Sequence, residues 1–232
     1  MSKRAEMIAR RRRQKRQGFL TSTVIVVGLA VAIAALTLRS DLDKEKEIII
    51  SEPQTFPYED DTSLGKTDAP VVIQGFSDFQ CSHCRNFHRD TLPLIIENYV
   101  VSGHVRFEFR QFPFLGTESL AAANASLCAA EQDRFWGYSE LLFANQANID
   151  RNAFSSARLR AFAEALELNM DQFSSCLDEG RYHDKVDDEL ASGKAGGINS
   201  TPSFLINGQL LVGAAPFTDF QLAIETALLT SD

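Results

Sequence analysis

The chain has 232 residues, 44% hydrophobic and 23% charged, with four cysteines and a net charge of −8. That length suits a membrane segment plus one domain with a substantial core, not two full domains, and four cysteines can staple such a core but not replace it. Residues 1–39 hold 9 Lys/Arg against the single acid Glu6, so the rest carries 14 basic and 30 acidic side chains, a net of −16 that argues against nucleic acid as a partner.

Lys3 to Arg16 is a basic head, and Phe19 to Leu38 is a run of twenty residues without a charge. At ~1.5 Å per residue the run spans ~30 Å, the thickness of the hydrocarbon core. The basic flank stays in the cytoplasm, so everything after Arg39 is exported. Ala32-Ile33-Ala34 offers a small-x-small pattern for a cleaved signal peptide, but the apolar run continues beyond it, which favours a retained anchor. The expected organisation is a cytoplasmic head over 1–18, a transmembrane anchor over 19–38, a tether over 39–61 and a folded domain over 62–232. Within the acid-rich stretch Asp41 to Lys66, Ile48-Ile49-Ile50 stands out as either a short strand or a patch that docks on the body.

Val71 to Phe76 is apolar and β-branched, and Ser77-Asp78-Phe79-Gln80 connects it to a helix-compatible segment that runs from Ser82 to Leu92, before Pro93. Cys81 and Cys84 lie at this junction. At a helix N-terminus the free N–H groups and the positive end of the dipole favour an anion, so a thiolate is stabilised at Cys81. Cys84, one turn further in, is the more covered sulfur. The pair therefore provides an attacking thiol, Cys81, and a resolving thiol, Cys84, with His83 between them to lend a hydrogen bond or a positive charge. Asp78 has two readings, proton transfer or ordinary turn formation.

Val105 to Phe112 alternates apolar and charged residues and reads as a strand, so strand, helix and strand form a βαβ unit with parallel strands. From Thr117 to Ala195 the chain is helix-rich, with segments over 120–131, 135–143, 155–166 and 170–177. This is an all-helical insertion, about 115–195, in which Trp136, Tyr138 and Phe143 form the packing core. Arg181 to Leu190 is charge-dense and reads as a solvated helix face. The glycines of 193–197 lack Walker spacing and read as a flexible lead-in to Thr201-Pro202. Two short apolar runs about Asn207-Gly208 predict a hairpin, and Phe217 to Leu229 an amphipathic helix.

A lone CxxC also occurs in zinc sites and structural disulfides. In combination with FSDFQCSHC, the helical insertion and GGINSTPSFLINGQLLVG, it makes residues 62–230 similar to the exported DsbA-like thiol oxidoreductases of the thioredoxin superfamily, in the membrane-tethered bacterial branch. The resemblance implies an α/β thioredoxin fold with an inserted helical subdomain, preceded here by a transmembrane helix. It implies Cys81 as nucleophile, Cys84 as resolving thiol and His83 as tuning residue. Thr201-Pro202 becomes a cis-proline loop that holds an extended substrate over the thiols. Ser82 departs from the proline often found there, and Gln74-Gly75 occupies the neighbourhood of a commonly buried acid. Relatives with a second cysteine pair imply a structural disulfide between Cys128 and Cys176, against the alternative of two free buried thiols. Such a bridge would close a 49-residue loop and stabilise by ~4 kcal/mol.

No cofactor is called for, since two sulfurs carry the electrons. His88, one turn beyond Cys84, offers a Cys-His metal cluster with Cys81 and His83, but no distant ligand pair completes it and no metal is expected. The implied function is oxidation of reduced unfolded proteins, with recycling by a membrane quinone-linked thiol oxidase and a location on the extracytoplasmic side of the cell membrane. An isomerase or reductase on the same fold, and a metal- or peptide-binding module without turnover, are the alternatives.

Overall fold

A computed structural model describes Ile33 and residues 48–50, 58–146 and 152–230. The expected head and anchor lie outside the described residues apart from Ile33, as does most of the tether. Among the described residues no helix is long and apolar enough to cross a membrane.

The centre is a six-stranded sheet in the order β1-β2-β4-β3-β5-β6. Strands β3 (Val71–Ser77) and β4 (Val105–Gln111) pair in parallel, from Val71 opposite Val105 to Ser77 opposite Gln111. Strand β5 (Ser203–Ile206) lies antiparallel on the other side of β3, and β6 (Gln209–Val212) forms the edge beyond it. The β5–β6 turn puts Asn207 at φ 45° and Gly208 at φ 84°, the left-handed conformations that a two-residue hairpin turn demands. At the opposite edge β1 (Glu59–Asp60) and β2 (Ser63–Leu64) form a small hairpin that pairs with β4. Sheet structure thus begins inside the stretch read as tether, because a two-residue strand has no periodicity to reveal it.

The helix after the thiols also runs further than its sequence suggests. It starts as α1 (Ser82–Asn86), passes through a π-helical turn at Phe87–Thr91 and continues as α2 (Leu92–Ile95) and a second π turn at Ile96–Val100. The expected stop before Pro93 is absent because the Leu92 N–H already bonds five residues back, to the Phe87 carbonyl. Pro93 therefore enters in the first turn of a re-registered segment, where its missing N–H costs nothing.

Between β4 and β5 the described residues form five helices, α3 (Thr117–Ala130), α4 (Phe135–Ala144), α5 (Ser156–Ala165), α6 (Met170–Glu179) and α7 (His183–Ala195). Trp136, Tyr138 and Phe143 are buried in its core, and Cys128 of α3 is bonded to Cys176 of α6. Helix α7 extends into the stretch read as a flexible lead-in. Its Gly193 is buried, and a Cβ there would stand 2.9 Å from the Phe112 ring, so this glycine serves close helix packing rather than flexibility. The final helix, α8 (Phe217–Thr230), buries Phe220, Ile224 and Ala227.

The insertion is locked to the sheet through aromatic rings: Phe79 stacks on Phe109 at 5.2 Å and meets Phe143 at 5.0 Å, while Phe109 meets Phe135 edge-on at 5.2 Å. Ile48–Ile50 docks on the end of α4. The Ile49 N–H donates to Asn145 Oδ1 at 2.8 Å, and Asn145 Nδ2 donates back to the Ile49 carbonyl at 2.9 Å. Of the two readings of the isoleucine triplet, docking is the one observed.

Replacing Cys128 and Cys176 together by alanine is expected to lower unfolding stability by ~4 kcal/mol, from the loop the bridge closes. Denaturant unfolding checks this, and an unchanged midpoint would contradict it.

Candidate active site

Cys81 occupies the N-cap of α1 with extended backbone angles, φ −80° and ψ 118°, and the helix starts at Ser82. A carboxylate shapes the turn that puts it there. Asp78, buried, accepts the Gln80 N–H on Oδ1 at 2.8 Å and the Phe114 and Leu115 N–H groups on Oδ2 at 3.0 and 3.1 Å. The Asp78 carbonyl accepts the Cys81 N–H at 3.0 Å. Bonded to three backbone donors, the Asp78 carboxylate fastens the thiol turn to the segment after β4.

A second clamp comes from the insertion. Buried Gln146, just past α4, donates its side-chain amide to the carbonyls of Phe79 and Cys81, the latter at 2.9 Å. No feature of the sequence marks Gln146, because its partners are backbone atoms more than sixty positions away.

The two sulfurs occupy different environments. Cys81 is 8% exposed and Cys84 fully buried, both as free thiols. As a thiol, Cys81 donates to the Thr201 carbonyl at 3.4 Å, and the Thr201–Pro202 peptide bond is cis. Hydrogen bonding from Cys84, then from the Thr201 side chain and the backbone of Cys84 and His83, outweighs desolvation and lowers the Cys81 pKa from an ordinary 9.0 to about 5. Among the described residues the buried Thr201 hydroxyl has no other partner, which leaves it free to donate to a Cys81 thiolate. Cys84 moves the opposite way: burial first, then its hydrogen bond to Cys81 and the charge there, push its pKa well above the ordinary value.

The remaining expected residues divide. Thr201 lies against Cys81 through its carbonyl and is joined to Pro202 by the cis peptide bond. His83 is exposed, and its contribution to the Cys81 thiolate comes from its backbone. His88 packs among aromatic rings, 4.7 Å from Phe143 and parallel to Trp136 at 6.4 Å. Among the described residues no group of three or more His, Cys, Asp or Glu side chains could hold a metal. Ser77, at the end of β3 and lining the same small space as Cys84, went unremarked in the sequence because a strand-end serine has no distinguishing pattern.

A thiol favoured as its anion, paired with a buried thiol and set beside a cis-proline loop, has the chemistry that thiol–disulfide exchange needs. A sequence model of the thioredoxin family matches residues 58–226. The chain belongs to this family. Within it, the chain is a DsbA-like thiol:disulfide oxidoreductase. The probable disulfide bond formation protein D of Bacillus anthracis is 30% identical over 190 residues, 80% of this chain and 87% of that protein. The crystal structure of oxidised BdbD from Bacillus subtilis superposes with a TM-score of 0.68 at 25% identity, covering 78% of this chain and 98% of that one. That of Wolbachia pipientis alpha-DsbA1 gives 0.66 at 25% identity, covering 76% and 94%.

The Cys81 shift sets a pH dependence. A thiol whose pKa is depressed in the folded state stabilises the reduced protein fully above its ordinary 9.0, and the benefit is lost as pH falls through about 5. Alkylation of Cys81 by iodoacetamide should therefore titrate with a midpoint near pH 5. A midpoint near that of a free cysteine, ~8.5, would contradict the assigned environment.

Proposed function

We propose that the chain is an exported, membrane-tethered protein dithiol oxidase that gives its Cys81–Cys84 disulfide to reduced, unfolded substrates. The opposite displacement of the two thiol pKa values carries this reading. A substrate thiolate attacks Cys81 Sγ, the new sulfur–sulfur bond forms as the Cys81–Cys84 bond breaks, and the electron pair leaves on Cys84. The substrate's second thiolate then attacks its own bridged sulfur and expels Cys81 as a thiolate, a good leaving group because its pKa is low. The substrate leaves oxidised and the enzyme reduced.

Surface features favour an extended, unspecific client. Phe114 and Leu115, whose N–H groups bond Asp78, leave 46% and 50% of their surfaces exposed next to the thiol turn. They offer apolar contact to any unfolded chain, while the backbone around Thr201 lies against Cys81 to align it by strand-like pairing. The anchor over 19–38 rests on the basic head and the uncharged run that follows it. Like its DsbA-like relatives, the protein would be reoxidised by a membrane quinone-linked thiol oxidase.

Cys84→Ala should accumulate a covalent mixed disulfide between Cys81 and a reduced unfolded polypeptide that carries a single cysteine, after challenge with an oxidised small-molecule disulfide, visible on a non-reducing gel. Cys81→Ala should form none and transfer no disulfide. Equal trapping by the Cys81 variant would overturn the assignment of roles.

A further inference from the structure

Resolution at Cys84 poses a proton problem. When substrate opens the Cys81–Cys84 bond, Cys84 leaves as a thiolate inside a site that disfavours its charge, so it must take up one proton. On reoxidation by a disulfide partner it must lose that proton before it can attack Cys81 and expel the partner's thiolate. Neither transfer can go directly to water, because Cys84 has no exposed surface.

The space behind Cys84 is a void of about 10 Å³, of the order of one water molecule. Ser77, Cys84 and His88 supply the polar side chains of its lining; the other lining residues are Gly75 and apolar groups. The sheet sends no ionisable group into it: a Cβ at Gly75 would stand 2.7 Å from the Phe107 ring. On its other side His88 lines a cavity of about 460 Å³ that reaches the surface at Arg89, Pro93 and Ile49, all exposed. His88, Leu92 and Phe143 are common to both spaces. One imidazole thus stands between the buried sulfur and the solvent side of the helix.

We propose that His88 relays protons between Cys84 and solvent during opening and closing of the Cys81–Cys84 bond. A neutral imidazole has one donor and one acceptor nitrogen. It gives its N–H proton across the void to the Cys84 thiolate and takes one from the cavity side on the other nitrogen; the net change is one solvent proton on Cys84. Reoxidation runs the same transfer backwards. Burial lowers the His88 pKa to about 4, which keeps the ring in the neutral form that the relay needs. Phe143 and Trp136 hold its plane. No hydrogen bond to another described residue occupies its nitrogens. Among the described residues, the charged groups that line the cavity with it are Arg85 and Arg89 on its own helix and Glu140 of α4, whose pKa burial raises to about 7. Arg89 is held by Asp90.

The inference rests on Cys84 as the resolving thiol, and its test separates the two. Full-length protein carrying glutathione on Cys81 is followed in single turnover as Cys84 expels the glutathione, in the parent, His88→Phe, His88→Ala and Glu140→Gln. Phenylalanine keeps the ring packing and carries no proton. The relay predicts a slowing of about 10²-fold in both His88 variants at neutral pH. Added imidazole should restore the rate in His88→Ala, where the ring's space is open, and not in His88→Phe. The Cys81 alkylation midpoint should stay where it is in the parent. A rate in His88→Phe within about twofold of the parent, a loss in His88→Ala that imidazole does not restore, or a slowing that follows Glu140→Gln instead would overturn the relay. Failure of the parent itself to expel glutathione would instead overturn the role given to Cys84.

Discussion

The fold serves one constraint: two sulfurs three residues apart on one helix must sit in opposite electrical settings. Cys81 caps the N-terminus, where unpaired N–H groups and the Thr201 hydroxyl face it, and Cys84 is sealed one turn deeper. Joining them relieves nothing at Cys84 but removes a favourable charge from Cys81. On the proposed reading the bond between them is the high-energy state, and exchange runs outward to substrate.

Holding that arrangement takes groups from three parts of the chain. Asp78 ties the thiol turn to the Phe114–Leu115 segment after β4, Gln146 ties it to the insertion, and the cis-proline loop closes it from the start of β5. The helical insertion is thus part of the site and not an appendage to it. Phe79, between the two clamps, is packed from the sheet by Phe109 and from α4 by Phe143, so movement of the insertion would be felt at the sulfurs.

Local patterns were legible before the structure. Alternation marked β4, Asn-Gly marked the last hairpin, and the strand-to-helix change around the two cysteines located the N-cap. Features that depend on distant partners were not. Asp78 reads as a turn former from its neighbours alone, but the donors at Phe114 and Leu115 come from a loop more than thirty residues later. Gln146 bonds only backbone carbonyls, which carry no side-chain signature. Pro93 signalled a stop that the π turn before it made unnecessary, and Gly193 suggested flexibility where two phenylalanine rings require a missing Cβ. Cys128 and Cys176 could be paired only by resemblance, since nothing local relates a residue of α3 to one of α6.

The central claim is that the dithiol form is the comfortable one, and the reduction potential of the Cys81/Cys84 pair, measured by equilibration with glutathione, tests it most directly. The account predicts a value on the oxidising side of about −180 mV. A value near that of thioredoxin, about −270 mV, would contradict it.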